Sequence, residues 1–276
     1  MNYSEAKEYI KILRSKAERS LENAPPGKLR LSKVKNYPSF YYVWDAKYGS
    51  SGKYLSKKKP SLIKKLAQKE YNLLFMKALD QADSKVDSLK LKYNLPDIEY
   101  SSIIYGLQNV YLQLNPSKRG YVHPFVETDS QYTDRWLSQE YDSHTLYANN
   151  LSIVTNSGIL VRSKSEKIIA DKLTELGIPF LYEMPIQMKN GQIFHPDFVL
   201  LDITRRRNIY FEHFGMMDSP EYSTNAIKKM LEYENNGIHL GDNLITSFET
   251  STVPLSSTYI SQLLSNLHPK HSEDSC

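Results

Sequence analysis

His195–Gly215, HPDFVLLDITRRRNIYFEHFG, is the stretch from which the rest of the chain is read. Two runs rich in Phe, Val, Leu, Ile and Tyr, 194–201 and 208–214, flank the polar segment 202–207. That is the pattern of a β-hairpin. If the turn is symmetric, residues whose numbers sum to 409 face each other: Leu201 with Asn208, Val199 with Tyr210, Asp197 with Glu212. Directly opposed residues of an antiparallel pair lie roughly 4.5–5.5 Å apart at Cβ on one face. Two carboxylates that close repel unless one is protonated or a cation lies between them. Hard divalent cations such as Mg²⁺ take carboxylate oxygens and keep several waters. The hairpin therefore reads either as half of a metal site or, if the register slips by one, as a strand with one solvated acid.

Pro196-Asp197 followed by a strand-borne Glu212 resembles the PD-(D/E)xK nuclease superfamily. The run EHFGMM, 212–217, is similar to a RecB-like branch of bacterial and phage proteins. Phe214 stands where the superfamily carries its usual lysine, two residues after the second acid. The resemblance implies a fold of helix, three strands, helix and strand. It also implies a carboxylate-bound Mg²⁺ or Mn²⁺, DNA as substrate, and often a helicase or other protein partner.

The surrounding sequence offers the same order of elements. Ser163–Leu176 reads as a helix, Phe180–Gln187 as a strand, then come the hairpin, a helix over Pro220–Asn236, a strand over Leu244–Phe248 and a helix over Ser257–Leu267. The resemblance places a metal-site glutamate on the first helix, at Glu166, and Ser163-x-x-Glu166 is equally a capping box. Lys229 and Tyr233, four apart on one helix face, match a glutamine and a tyrosine of RecB-like sites. Lys229 is then the candidate for the displaced cation, with Lys228 as its rival and Tyr222 as a further pocket residue. The His213 carbonyl is a candidate metal ligand, while alternation points its side chain away from the two acids. Arg205, Arg206 and Arg207 either grip phosphates or are solvated turn residues.

Composition divides the chain. The 276 residues carry a net charge of +4, yet residues 1–115 hold 21 Lys/Arg against 11 Asp/Glu, and the remainder holds 14 against 20. Between Lys28 and Lys65, eleven bases face only Asp45. Such a block argues for an anionic partner. Lys53, Lys57, Lys58, Lys59, Lys64 and Lys65 are its nucleic-acid candidates, and the bases at 28–47 interleave with Tyr37, Phe40, Tyr41, Tyr42, Trp44 and Tyr48. Cations neutralise phosphates and aromatic faces stack bases; the other reading is a small sheet using its own aromatics as core. The single cysteine, Cys276, excludes an intrachain disulfide or a cysteine zinc cage and fits a reducing cytoplasm; the resemblance implies a bacterial or phage source. No signal peptide and no membrane span are expected.

The expected fold is α/β (α+β): a basic module of helices and a small β-sheet over 1–115, a connector over 116–160, and the nuclease-like domain over 161–276. Helices are expected over Ser4–Asn23, Ser61–Ala82 and Lys85–Tyr93, with Pro96 beyond the last, and over Ile98–Leu114. Strands are expected on both sides of Asn36–Ser39 and over Gly52–Leu55. His123, Trp136 and His144 are lone residues of the connector and receive no chemistry. The expected activity is a Mg²⁺-dependent deoxyribonuclease, endo- or exonucleolytic, with RNA a further substrate. The alternative is a non-catalytic DNA- or RNA-binding accessory protein with a nuclease fold.

Overall fold

Asn2 starts the first helix with a reciprocal cap: its side chain accepts from the Glu5 amide, and the Glu5 carboxylate accepts from the Asn2 amide. The computed structural model describes residues 2–35, 37–44, 52–93, 100–141 and 153–267. It is mixed α/β, and its chain divides into two compact units, Met1–Tyr132 and Thr133–Cys276. The stretch 116–160, read above as a connector, is shared between them. Lys47, Tyr48, Pro96, His144 and Cys276 lie outside the described residues.

In the first unit, α1 (Tyr3–Glu22) leads to β1 (Lys28–Val34), β2 (Tyr37–Val43) and β3 (Lys53–Leu55), an antiparallel sheet in that order. Gly27 has φ +78°, and a Cβ there would meet the Val43 carbonyl at 2.3 Å, so only glycine lets the chain enter β1 so close to β2. Next comes α2 (Ser61–Tyr93), followed by α3 (Tyr100–Gln113) and the single turn α4 (Pro116–Arg119). Two expected helices, ending at Ala82 and beginning at Lys85, are here one helix of 33 residues. Nothing at 82–85 breaks it: Ser84 returns its hydroxyl to the Asp80 carbonyl. Asp80, Asp83 and Asp87 instead line a face that pairs with Arg14 and Lys7 of α1. The apolar core joins Ile10, Leu13, Tyr71, Phe75, Leu79 and the sheet's Phe40.

Helix α5 (Asp129–Leu137) precedes a two-stranded pair, β4 (Ile153–Val154) and β5 (Leu160–Val161). The second unit then runs α6 (Lys164–Glu175), β6 (Phe180–Tyr182), β7 (Ile186–Gln187), β8 (Ile193–Phe194), β9 (Phe198–Asp202), β10 (Arg207–Phe214), α7 (Pro220–Asn235), β11 (Leu244–Phe248) and α8 (Ser257–Leu264). Four strands form one sheet in the order β11-β10-β9-β6, with β11 parallel to β10 and the other pairs antiparallel.

The single strand expected over Phe180–Gln187 is broken. Glu183 adopts φ 50°, and the chain leaves the sheet to form the separate β7–β8 pair.

Period-2 alternation gives the sheet two apolar faces. Phe198, Leu200, Ile209 and Phe211 pack with Ile169 and Leu173 of α6 and Ile260 and Leu264 of α8. Tyr210 and Leu244 face the other way, toward Tyr233 of α7 and Ile238. The sheet is thus sandwiched between α6 with α8 and α7. The two candidate acids lie on the α7 side.

Candidate functional site

The hairpin has the register that the symmetric turn gives: Asp202 pairs with Arg207, Leu201 with Asn208, Val199 with Tyr210 and Phe198 with Phe211. Pairing stops there, one step before the acids. In the continued register Asp197 opposes Glu212, and Pro196 opposes His213. Proline has no N–H, so the ladder offers no donor to the His213 carbonyl at this point. The His213 N–H, deprived of its usual partner strand, donates to Asp197 Oδ2 at 2.6 Å. The proline thus ends the ladder where a carboxylate takes over.

Glu212 is nearly fully buried, at 2% exposure. Its Oε1 accepts from the Tyr233 hydroxyl at 2.5 Å and lies 2.6 Å from Lys229 Nζ. Both come from α7, one turn apart, so the helix delivers a cation and a phenol to one carboxylate. Lys228 points to solvent. Burial raises the Glu212 carboxyl above its usual range, although Lys229 and Tyr233 both work against that. Asp197 rises well above the ordinary carboxylate range, first through burial and then through the charge of Glu212. The Tyr233 phenol is pushed far up, by burial and then by Glu212, and stays a donor.

Hydrogen bonds and the ion pair engage one oxygen of each acid, Asp197 Oδ2 and Glu212 Oε1. Asp197 Oδ1 and Glu212 Oε2 accept nothing from the described residues. Such a pair fits a hard divalent ion, because Mg²⁺ binds through one or two carboxylates and retains water. No cluster of three or more His, Cys, Asp or Glu groups suited to a metal occurs among the described residues. Asp197 and Glu212 are the two carboxylates at this point that could hold such an ion.

Glu166 closes the α6 cap: its carboxylate accepts from the Arg162 amide, the Ser163 hydroxyl and, at 2.6 Å, the Tyr182 hydroxyl. Its charge adds only weakly to the rise of the Asp197 carboxyl, behind burial and Glu212. Tyr222 turns its hydroxyl to the Gly215 amide, at 3.2 Å, rather than to an acid. Arg205 and Arg207 pair with Asp202, and Arg207 also with Asp242 at 2.7 Å, so acids match their charges locally. Arg206 holds the turn's left-handed position, φ 50°. In the first unit Lys53, Lys57, Lys58, Lys59, Lys64 and Lys65 are all exposed. On the outer face of its sheet Arg30 stacks over Tyr41 at 4.5 Å and Tyr41 meets Tyr54 edge-on, while Phe40 goes to the core. The interleaved aromatics thus divide between a core role and an outer row.

Two features escaped the sequence reading. Glu183, beside the acids in the chain fold, donates its amide to the Asp197 carbonyl and pairs its carboxylate with Arg162 at 2.5 Å. Pro185, two residues on, was the available sign that this strand breaks. On the opposite face of β10, the His213 ring lies 2.9 Å from Ser247 Oγ and 3.2 Å from Glu249, which Ser165 of α6 also engages. These partners are 34 and 36 residues from His213, and no local pattern announces them.

No family model matches the chain, and no solved structure matches it. Over 152 residues it is 25% identical to an uncharacterized protein of Methanocaldococcus jannaschii. The match covers 54% of this chain and 13% of that protein.

Proposed function

We propose that the chain is a metal-dependent nuclease that hydrolyses phosphodiester bonds of DNA at the Asp197–Glu212 pair. One observation supports this above others: two opposed carboxylates, each keeping one oxygen uncommitted, with a lysine at 2.6 Å where Phe214 leaves the strand without charge. When bound, Mg²⁺ or Mn²⁺ supplies an activated water and stabilises charge on the phosphate. Asp197 and Glu212 would hold it, with the His213 carbonyl as a neutral third ligand. The His213 amide and the Tyr233 hydroxyl orient the two carboxylates and fix which oxygens face the ion. Lys229 sets a permanent positive charge beside them, suited to the negative charge that a phosphodiester gains at its transition state. The exposed lysines of the first unit supply sequence-independent attraction for the nucleic-acid backbone.

The alternative reading, a DNA- or RNA-binding accessory protein without turnover, draws on the same ion pair, since Lys229 neutralises Glu212 without any metal. Calorimetric titration with Mn²⁺ separates the two. The nuclease reading expects saturable binding that Glu212→Gln removes. Absence of binding by the unaltered protein would favour the accessory role.

A further inference from the structure

A chain of hydrogen-bonded side chains anchored on one buried asparagine in the first unit supports a second, unassigned site. Asn72 is fully buried and donates to Ser20 Oγ at 2.7 Å. Its carbonyl oxygen accepts from Gln68 Nε2 at 2.9 Å. Gln68 then clamps the backbone of His123 on both sides, accepting from its amide at 2.8 Å and donating to its carbonyl at 3.1 Å. The end of α1, the first half of α2 and the segment at 121–123 are thereby fixed to one another. Hydrogen-bonded side-chain networks of this kind rigidify their surroundings.

Beside this network is a cavity of about 310 Å³, and its charged lining is entirely basic: Arg19, Lys64, Lys65, Lys69 and His123. Lys69 is occupied by the carbonyls of Pro25 and Gly27. Arg19, Lys64 and Lys65 pair with no acid among the described residues. Elsewhere in this unit Lys7, Arg14 and Lys118 each have a carboxylate within 3 Å. Three cations that no carboxylate among the described residues neutralises thus line this one cavity. Its volume is at the small end for ligand sites, suited to a phosphorylated sugar rather than to a length of strand. The exposed run Lys57-Lys58-Lys59 lies immediately before α2, whose first two turns carry Lys64 and Lys65.

We propose that this cavity binds the terminal phosphomonoester of a nucleic-acid strand. A terminal phosphate carries close to two negative charges, against one for an internal diester, and Arg19 and Lys64 supply charge-assisted donors for it. Tyr121, half-buried in the lining, offers a ring to the adjoining sugar or base. The inference rests on nucleic acid being the partner, as proposed above, but not on cleavage.

The test is fluorescence anisotropy with the full chain in EDTA. Three versions of one labelled 12-mer are compared: 5′-phosphate, 3′-phosphate, and hydroxyl at both ends. One phosphorylated end is expected to bind about tenfold more tightly than the hydroxyl form, the gain from an added charge-assisted contact. Inorganic phosphate should erode that advantage. Arg19→Gln combined with Lys64→Gln should bring the affinity ratio close to one. Equal affinity for all three strands, or a ratio that the double variant leaves intact, would overturn the proposal. Circular DNA, which has no ends, keeps the two readings apart. If it is cut while ends are not distinguished, the pocket proposal fails alone. If ends are distinguished and neither circular nor linear DNA is cut, the nuclease reading fails alone.

Discussion

Lys229 Nζ lies 2.6 Å from Glu212 Oε1, reaching from α7 to a carboxylate on β10. Phe214, two residues beyond Glu212, lies on the same strand face and stacks on Phe248 with ring centroids 5.6 Å apart. The strand position that resembles a nuclease lysine site is therefore filled by an aromatic pair, and the charge arrives from the neighbouring helix. Lys229→Met should lower the cleavage rate by about 10²–10³-fold, the usual loss when one transition-state donor is removed. Lys228→Met, altering a side chain in solvent, should stay within about twofold of the parent. Single-turnover rates of the two variants check this. Equal effects would remove the special position of Lys229.

The raised Asp197 carboxyl has a consequence for stability. A carboxyl whose folded pKa lies above its unfolded value binds protons more tightly in the folded state. Its contribution is complete below the unfolded value and is lost as pH rises through the folded one. Asp197→Asn should thus raise the melting temperature at pH 8 more than at pH 5, by about 2–4 °C for each kcal/mol of repulsion relieved. Saturating Mn²⁺ should raise the melting temperature of the unaltered protein and leave that of the variant unchanged. Thermal scans at the two pH values, with and without the ion, provide the check. A variant that melts lower at pH 8 would make Asp197 a structural residue.

The hairpin was legible because its information is local. A polar segment between two apolar runs fixes the register, and one step beyond its last pair that register sets Asp197 against Glu212. Helical spacing likewise put Lys229 and Tyr233 on one face of α7. What was illegible depends on distant partners. Glu166 satisfies a helix end and a tyrosine on β6, and only the packed fold shows how fully it is engaged. The continuity of α2 depends on α1, whose Lys7 and Arg14 meet the aspartates beyond Leu79. The turn arginines looked available for phosphate because Asp242, which pairs with Arg207, is 35 residues away.

Lys57, Lys58 and Lys59 are exposed, and no carboxylate pairs with them among the described residues. Changing all three to Gln should weaken duplex binding and flatten its salt dependence. Each phosphate contact removed lowers the log–log slope by about 0.9, so the loss should approach about 2.7 if all three touch phosphates. Binding titrations over a range of salt concentrations measure the slope. An unchanged slope would make these lysines solvated surface only.

Tyr233 is fully buried, and its hydroxyl serves Glu212 alone among the acids. Tyr233→Phe keeps the ring against Phe194 and removes only that donor. It should reduce stability by about 1–3 kcal/mol and weaken Mn²⁺ binding, because Glu212 is then held by Lys229 alone. Denaturant unfolding and calorimetry measure the two effects. Unchanged values in both would show that Lys229 positions Glu212 unaided.

In the proposed reaction the Asp197–Glu212 pair holds the ion that cuts DNA. The direct test is incubation of the purified chain with circular and linear DNA in Mg²⁺, in Mn²⁺ and in EDTA, beside Asp197→Ala and Glu212→Ala. Cutting should require the ion and disappear in each variant while both remain folded. Cutting that survives either substitution, or an unaltered protein that leaves both substrates whole with either ion, would contradict this assignment.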